Sequence, residues 1–359
     1  MMQQIAIDAA AVVLAPYVWN RFGMGPAARI EATMPGAYLR IAARDTTTLG
    51  VIIDATANQG CPAASMPVVE YSVDDGPFTV VPLTRTGEVY TLSLAADLAA
   101  EAPHHAEFFF RAADLCQERW RSSLDHLRIA GIALDAGGVL LLPPTRSKKA
   151  IGFGDSITEG VGIDGFFASW QQLGVNNAKG TWLPLACNAL GCEYGQLGSG
   201  GQGMVNKTMA VPPLPQSWDH YDAHTSRLIG GRLLPEPDYV FCGMGTNDFE
   251  GDIDHPNDIT DDYTRWLTAV RAACPATRIF CVVPPFGWHL AEIQAAVDAR
   301  NRAGDGRVHV IDTAPLKDGF DTRNRPSRLA HDGCHPSLYG SALLGALVAA
   351  EVQKVESRG

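Results

Sequence analysis

The chain divides into two stretches that differ in how apolar and polar positions alternate. Between about residue 28 and about residue 142, short runs rich in β-branched and aromatic residues recur every ten to twenty residues or so, with turn residues between them. Hardly any of this stretch has the spacing of a long amphipathic helix. Many short strands predict an all-β, jelly-roll-like sandwich over residues 1–145. The predicted strands are AYLRIAARD, GVIIDATA, VVEYSV, FTVVPL, VYTLSL, AEFFFRAA and HLRIAGIAL.

Two polar segments of this stretch are expected to connect strands. Asp74-Asp75-Gly76-Pro77 separates two apolar runs, and we expect Gly76 to supply the positive φ that a tight hairpin turn needs. The pair His104-His105 is expected in a loop between sandwich strands.

The pattern changes after Leu142-Pro143-Pro144, where two prolines and a polar, basic segment indicate a domain linker. Beyond it, apolar runs typical of buried parallel strands alternate with stretches of helical spacing. The runs are AIGFGD, YVFCGMG, RIFCVVPP and VHVIDT, and the helical stretches are 182–190, 261–273, 290–302 and 338–355. This βαβ alternation predicts an α/β domain over residues 146–359, with helices on both faces of a parallel sheet. Because the halves differ in class, we expect two modules that were joined.

Composition narrows the possible partners. The chain has 359 residues and a formal net charge of -11, and its basic residues are scattered, so we expect no nucleic-acid partner. No window has 18 uninterrupted apolar residues, so we expect no membrane span. The eight cysteines form no CxxC pair, and no basic residue precedes the apolar run near the start. We therefore expect free thiols and a cytoplasmic location.

The first candidate for chemistry is Ser156, in the sequence GDSITEG at the end of the first predicted parallel strand. Small residues on both sides let the backbone turn sharply and expose the hydroxyl at the edge of the sheet where α/β proteins bind ligands. A serine there can act as a nucleophile if a base reaches it. Taken alone, Gly-Asp-Ser could equally cap the following helix.

Three further motifs supply the other groups that acyl transfer requires. GSGGQG (198–203) and GMGTND (243–248) are expected at the same edge of the sheet, where backbone N–H groups and the Asn247 amide could form an oxyanion hole. Asp332 and His335 precede the last predicted helix. His335 could accept the serine proton while Asp332 fixes its tautomer. The spacing of His331 and His335 superficially resembles a metal site, but HDGCHP cannot form the helix that such spacing needs, so we expect no metal.

These four motifs, in this order, resemble the blocks of the GDSL or SGNH hydrolase superfamily from Lys148 to the end of the sequence. The resemblance implies a flavodoxin-like three-layer α/β/α domain and a serine esterase that works through an acyl-enzyme without a metal or organic cofactor. It further implies that Ser156 is the nucleophile and that Asp332 and His335 complete a catalytic triad.

The resemblance also implies an oxyanion hole made by the Ser156 N–H, Gly201 and Asn247. Gly200 is the alternative to Gly201, because the second block carries Gln196 where the family usually has Asn. Asp155 is interpreted as a structural, hydrogen-bonding residue rather than a catalytic acid.

A β-sandwich in front of such a domain resembles bacterial carbohydrate esterases that remove acetyl groups from plant polysaccharides. This implies a small-molecule or oligosaccharide ester as substrate, as for an acetylxylan esterase. Trp288 is the best candidate for stacking on a sugar, and segment 212–231, rich in proline and aromatic residues, either shapes the pocket or lies on the surface without touching substrate. The other tryptophans considered are Trp170, Trp182, Trp218 and Trp266.

Two alternative functions are kept. The first is an SGNH enzyme that acts on a non-sugar ester: a lipase or lysophospholipase, a thioesterase or an aryl esterase. The second, from another class, is a carbohydrate-binding protein that has lost activity; it is disfavoured because every expected catalytic position is filled. The oligomeric state is left open.

Overall fold

The computed structural model describes residues 2–166, 169, 172–208, 210–250, 255–320 and 325–358. Its N-terminal part is built from antiparallel strands, as the short apolar runs predict. The strands are β1 (Met2–Ala6), β2 (Val13–Leu14), β3 (Asn20–Phe22), β4 (Arg29–Ala32), β5 (Tyr38–Arg44), β6 (Leu49–Asp54), β7 (Val68–Val73), β8 (Thr79–Pro82), β9 (Val89–Ala95), β10 (His104–Ala112), β11 (Leu127–Asp135) and β12 (Val139–Leu141).

These strands form the two sheets of a sandwich. The first sheet has the order β3-β4-β11-β6-β9, with β1 also paired to β11, and the second has the order β12-β5-β10-β7-β8, with β2 paired to β5. Phe108, Phe109 and Phe110 in β10 are all fully buried. Successive side chains of a strand point to opposite faces, so both faces of the second sheet are covered. Phe109 stacks on Tyr38, which in turn contacts Tyr194 of the C-terminal domain.

The hairpin between β7 and β8 forms, but the expected role of Gly76 was wrong. Asp74 and Asp75 adopt the positive φ angles, +51° and +57°. An aspartate tolerates this conformation when its side chain is held locally. Here the Asp74 carboxylate accepts hydrogen bonds from the His104 ring (2.6 Å) and the His105 N–H (2.9 Å). His104 and His105 are the first two residues of β10. Their expected position in a loop was therefore also wrong.

The C-terminal part contains a five-stranded parallel sheet in the order β14-β13-β15-β16-β17. Its strands are β13 (Lys148–Gly154), β14 (Cys192–Gly198), β15 (Tyr239–Gly243), β16 (Arg278–Val282) and β17 (Val308–Ile311). The helices are α1 (Ser156–Glu159), α2 (Trp182–Ala189), α3 (Leu214–Ser217), α4 (Thr260–Ala273), α5 (Leu290–Arg302) and α6 (Leu338–Glu356). In chain order this is the flavodoxin-like arrangement 2-1-3-4-5. The predicted fold class is confirmed.

Strand β14 lies at the edge of this sheet beside the sandwich. Two of its polar residues, Glu193 and Gln196, form specific contacts. Glu193 accepts a hydrogen bond from the Tyr38 hydroxyl (2.6 Å) and forms an ion pair with Arg40. The side-chain amide of Gln196 donates to the carbonyl oxygens of Thr158 and Ala178. The sandwich and the α/β domain therefore meet along β14.

All eight cysteines lie in the described ranges and are free, and six of them are buried. Among the helices that the structure describes, none is both long enough and apolar enough to cross a membrane.

Candidate active site

Ser156 begins α1 immediately after β13, so the strand turns into a helix within two residues. Gly154 permits this turn, because a Cβ there would lie 2.0 Å from the Thr158 hydroxyl oxygen. The Asp155 side chain caps α1 by accepting a hydrogen bond from the Ile157 N–H (2.9 Å). The strand order of the sheet reverses between β13 and β15, which is where α/β sheets bind ligands. Ser156 therefore lies at the edge that the sequence predicts.

The structure brings together the three residues that the motifs predict to act as a unit. His335 Nε2 lies 2.8 Å from Ser156 Oγ, and His335 Nδ1 lies 2.6 Å from Asp332 Oδ2. The other Asp332 oxygen accepts the backbone N–H groups of Cys334 (2.9 Å) and His335 (2.7 Å). All three side chains are largely buried. This chain of hydrogen bonds can carry a proton from the serine hydroxyl to the imidazole.

The charge of Asp332 determines which ring nitrogen of His335 carries the proton. Burial raises the pKa of Asp332, but hydrogen bonds from His335 and the two backbone N–H groups outweigh it, and the net pKa is below the ordinary value. Asp332 is therefore ionised at neutral pH and accepts a proton-bearing Nδ1. In that tautomer Nε2 carries no proton, so it can accept the proton of Ser156.

The glycine-rich turn after β14 carries both N–H groups that the motifs nominate as oxyanion donors, those of Gly200 and Gly201. The Gly200 N–H already donates to Glu159 Oε2 at 2.6 Å, so this group is committed. Gly201 is exposed and has a φ of +76°, a conformation that favours glycine. The commitment of Gly200 favours Gly201 as the oxyanion donor.

Asn247, the third predicted oxyanion donor, lies in the loop after β15. Its Nδ2 donates one hydrogen bond to the Gln202 carbonyl oxygen (3.0 Å), which holds the side chain against the glycine-rich segment. The Asp248 carboxylate accepts three backbone N–H groups, from Met204, Val205 and Asn206, at 2.8–3.1 Å. The two donor-bearing loops are thus tied to each other. Sequence reasoning missed Asp248, although it belongs to the GTND motif.

Asp155 has the environment of a structural residue. It is fully buried, and burial raises its pKa to about 6, opposed by the hydrogen bond from the Ile157 N–H. Besides capping α1, it interacts with the Thr246 side chain and with the charge of His335, and both interactions oppose the rise in its pKa.

The tryptophans differ in burial. Trp182, Trp218 and Trp266 are 5% exposed or less and pack in the core around Phe153 and Phe241. Trp288 follows β16, is partly exposed and packs edge-on against Phe286. Its contact with a sugar stays a prediction. Trp170 lies outside the described residues.

Segment 212–231 lies against the sandwich domain. The Ala223 N–H donates to the Trp120 carbonyl oxygen (2.7 Å), and the Arg227 side chain donates to the Tyr17 carbonyl oxygen (2.8 Å). These contacts hold this segment of the α/β domain against the sandwich domain.

A groove of about 590 Å³ opens between this segment and the sandwich domain. It also lies next to the glycine-rich turn, because a Cβ at Gly201 would lie 3.1 Å from Thr208, which lines the groove. The lining residues are Glu118, Trp120, Arg121, Lys207, Thr208, Ala210, Val211, Pro212 and Gln216. Both domains thus line a cleft beside the candidate oxyanion donor. Sequence reasoning gave Trp120 no role, since no motif surrounds it.

Within the described ranges, no group of three or more His, Cys, Asp or Glu side chains is arranged to hold a metal ion.

The model of the GDSL-like Lipase/Acylhydrolase family matches residues 153–343, more than half of the chain. The chain belongs to this family. The resemblance drawn from the four sequence blocks is therefore confirmed, and the matched range begins just before Ser156 and ends after His335.

One curated protein and two solved structures match more of the chain than this domain. The cellulase/esterase CelE of Acetivibrio thermocellus is 24% identical over 289 residues, which are 78% of this chain and 33% of CelE, so the chain spans about a third of that protein. A family two carbohydrate esterase from Cellvibrio japonicus superposes with a TM-score of 0.76 at 16% identity, over 99% of this chain and 98% of the other. An acetyl xylan esterase, Est2A, from the rumen bacterium Butyrivibrio proteoclasticus gives a TM-score of 0.73 at 16% identity with the same coverage. The two-domain fold of this family member is therefore shared with both structures.

Proposed function

We propose that the protein is a serine esterase that removes acetyl groups from carbohydrates. The observation that carries the proposal is the hydrogen-bonded chain Ser156–His335–Asp332 at the switch point of the sheet. Its family membership and the activities for which the two-domain relatives are named support the same conclusion.

The geometry supports a cycle in two half-reactions. Ser156 Oγ attacks the ester carbonyl carbon while His335 Nε2 takes its proton. The N–H groups of Ser156 and Gly201 and the Asn247 amide stabilise the negative oxygen of the tetrahedral intermediate. The intermediate collapses, the sugar oxygen leaves with the proton from His335, and an acetyl-enzyme remains. A water deprotonated by His335 then attacks the acetyl group, and acetate leaves as Ser156 regains its proton.

The cleft between the domains supports a sugar as the alcohol part of the ester. Its lining includes one aromatic side chain, Trp120, and several side chains that can hydrogen-bond to hydroxyl groups, among them Arg121, Thr208 and Gln216. Sugar sites combine an apolar face with polar groups in this way. The same lining also contains Ala210, Val211 and Pro212, so the choice between a short and a long acyl chain is left to the substrate series below. Trp288 is proposed as a second aromatic contact.

The test is hydrolysis of p-nitrophenyl esters from acetate to decanoate, together with acetylated xylo-oligosaccharides. We expect activity confined to short acyl chains, release of acetate from the oligosaccharides, and loss of both in Ser156→Ala. A preference for long chains would move the assignment to a lipid ester or a thioester. Activity that survives in Ser156→Ala would contradict the assigned nucleophile, and binding of oligosaccharide without hydrolysis would favour a non-catalytic carbohydrate-binding protein.

A further inference from the structure

A buried arginine of the sandwich domain reaches into the α/β domain beside the nucleophile. Arg119 lies between β10 and β11, and its side chain is fully buried. Its Nη1 lies 2.8 Å from Oε1 of Glu159, which is itself 3% exposed. The two oppositely charged groups therefore meet across the domain interface, away from water.

Glu159 connects this arginine to the candidate oxyanion hole. It ends α1, the short helix that Ser156 begins, so its position follows that of the nucleophile. Its second oxygen accepts the N–H of Gly200 at 2.6 Å. Gly200 directly precedes Gly201, so one carboxylate links α1, the glycine-rich turn and Arg119.

The sandwich domain also packs directly against this turn. A Cβ at Gly200 would lie 1.8 Å from a methyl carbon of Leu115, so the loop that carries Arg119 touches the turn directly. The loop itself is held by hydrogen bonds: Arg119 Nη2 donates to the Asp114 carbonyl oxygen (2.8 Å), and the Arg119 N–H donates to the Ala210 carbonyl oxygen (3.0 Å).

The charges make the two partners depend on each other. A carboxylate as buried as Glu159 is strongly destabilised without a counter-charge, and the same is true of the guanidinium. Asp125 Oδ2 lies 3.8 Å from Arg119 Nε, farther than the Glu159 oxygen. Removing Arg119 would leave Glu159 to take up a proton or to turn toward water, and either change alters its hydrogen bond with Gly200.

We propose that Arg119 is a positioning residue for the oxyanion hole: it fixes the Glu159 carboxylate, which sets the orientation of the Gly200–Gly201 turn relative to Ser156. This inference rests on the proposed esterase function. It makes the sandwich domain part of the catalytic apparatus. An oxyanion donor acts only from the correct position, because it binds charge that exists only in the transition state.

The experiment compares Arg119→Met and the double variant Arg119→Met/Glu159→Gln with the wild-type full chain, using p-nitrophenyl acetate. For Arg119→Met we expect kcat to fall about 10- to 100-fold, somewhat less than the loss of an entire oxyanion donor, with KM changed by less than about threefold. In the double variant the neutral glutamine side chain needs no counter-charge, and its amide oxygen can still accept the Gly200 N–H. We therefore expect the double variant to recover about fivefold or more of the lost kcat.

Arg40→Met is the matched control. Arg40 pairs with Glu193 in the same domain interface, but at the amino end of β14, the opposite end from the glycine-rich turn. We expect this variant to lower the melting temperature and to keep the wild-type kcat. Rates are measured well below the melting temperature of every variant.

Three results would overturn the inference: wild-type kcat in Arg119→Met, an equal loss of kcat in Arg40→Met, or no recovery in the double variant. If Arg119→Met does not fold, Arg119→Lys is the variant to test. Its shorter cation should keep the fold and lower kcat. An unchanged kcat in Arg119→Lys would contradict the positioning role of Arg119. A wild-type protein that hydrolyses no ester would instead contradict the proposed function.

Discussion

The Asp332 carboxylate has two tasks in the proposed site. One oxygen accepts the Nδ1 proton of His335, and the other accepts two backbone N–H groups of the same turn. The carboxylate thus fixes both the tautomer of the histidine and the loop that carries it. Its lowered pKa keeps it ionised for both tasks.

Asp332→Asn tests this dual role. An asparagine has one acceptor oxygen, so it can hold the loop only by offering its NH₂ group to the ring, which favours the tautomer with the proton on Nε2. That tautomer cannot accept the serine proton, and we expect kcat to fall by about 10³-fold or more. Steady-state kinetics on p-nitrophenyl acetate measure the change, and thermal unfolding verifies the fold. A folded variant that keeps kcat within about tenfold of wild type would contradict the proposed role.

In the β7–β8 hairpin, as in the candidate site, an aspartate carboxylate accepts a hydrogen bond from a histidine ring. The His104 ring has an acceptor at each nitrogen: Asp74 Oδ2 at 2.6 Å and the Ala99 carbonyl oxygen at 2.8 Å. Only the doubly protonated imidazolium can donate to both. Two hydrogen bonds raise the pKa of His104: the larger effect comes from Asp74 and the smaller from the Ala99 carbonyl oxygen. The hairpin turn is therefore tied to β10 by a histidine whose protonated form is favoured.

His104→Gln should destabilise the protein in a pH-dependent way. A histidine whose pKa is raised on folding contributes stability that is fully present below its ordinary pKa and is lost as the pH rises through the raised value. We therefore expect His104→Gln to lower the melting temperature clearly at pH 6 and much less at pH 9. Differential scanning calorimetry at both pH values provides the measurement. An equal lowering of the melting temperature at both pH values would contradict a role for the protonated ring.

Strands and helices could be predicted from the sequence where one residue class repeats. Helix α5 coincides with the predicted range, and α2, α4 and α6 differ from prediction by single residues at their ends. β14 was not among the apolar runs, because Glu193 and Gln196 interrupt it and their partners lie in distant segments. Strands of two to five residues near the N-terminus carry too few positions to show alternation.

Some residues of the candidate site could be predicted from the sequence, and others could not. Ser156, Asp332 and His335 lie in motifs whose spacing itself carries information, so their meeting could be predicted. Arg119 and Glu159 could not be paired in advance, since a pairing between two domains depends on how the domains pack. Local propensity likewise could not show that Asp74 rather than Gly76 adopts a positive φ, because the reason is a contact with His104.

At the scale of the whole molecule, the sandwich domain covers an edge of the parallel sheet. β14 is the edge strand, and a Cβ on its Gly195 would lie 2.2 Å from the carbonyl oxygen of Pro16. Tyr194 in the same strand is 5% exposed and contacts Tyr38. An uncovered edge strand with apolar side chains is a site of aggregation.

Deletion of residues 1–145 should therefore produce an aggregating protein. Removal of the sandwich exposes the edge and apolar side chains of β14 and also removes Arg119. We expect the fragment 146–359 to elute in the void volume in size-exclusion chromatography, with little esterase activity in any soluble fraction. A soluble, monomeric and fully active fragment would contradict both consequences.

The ion pair of Arg119 and Glu159 limits how such domains can be exchanged. Each partner is encoded in a different domain. Beside a foreign neighbour Glu159 would be a buried, uncompensated charge, and Arg119 would keep only the more distant Asp125. A chimaera that places this sandwich on another hydrolase domain needs an acid at the position of Glu159, or it must lose both charges together. The two domains should therefore be exchanged between proteins only together. A mutation of Arg119 or Glu159 should be tolerated only when the other residue changes as well.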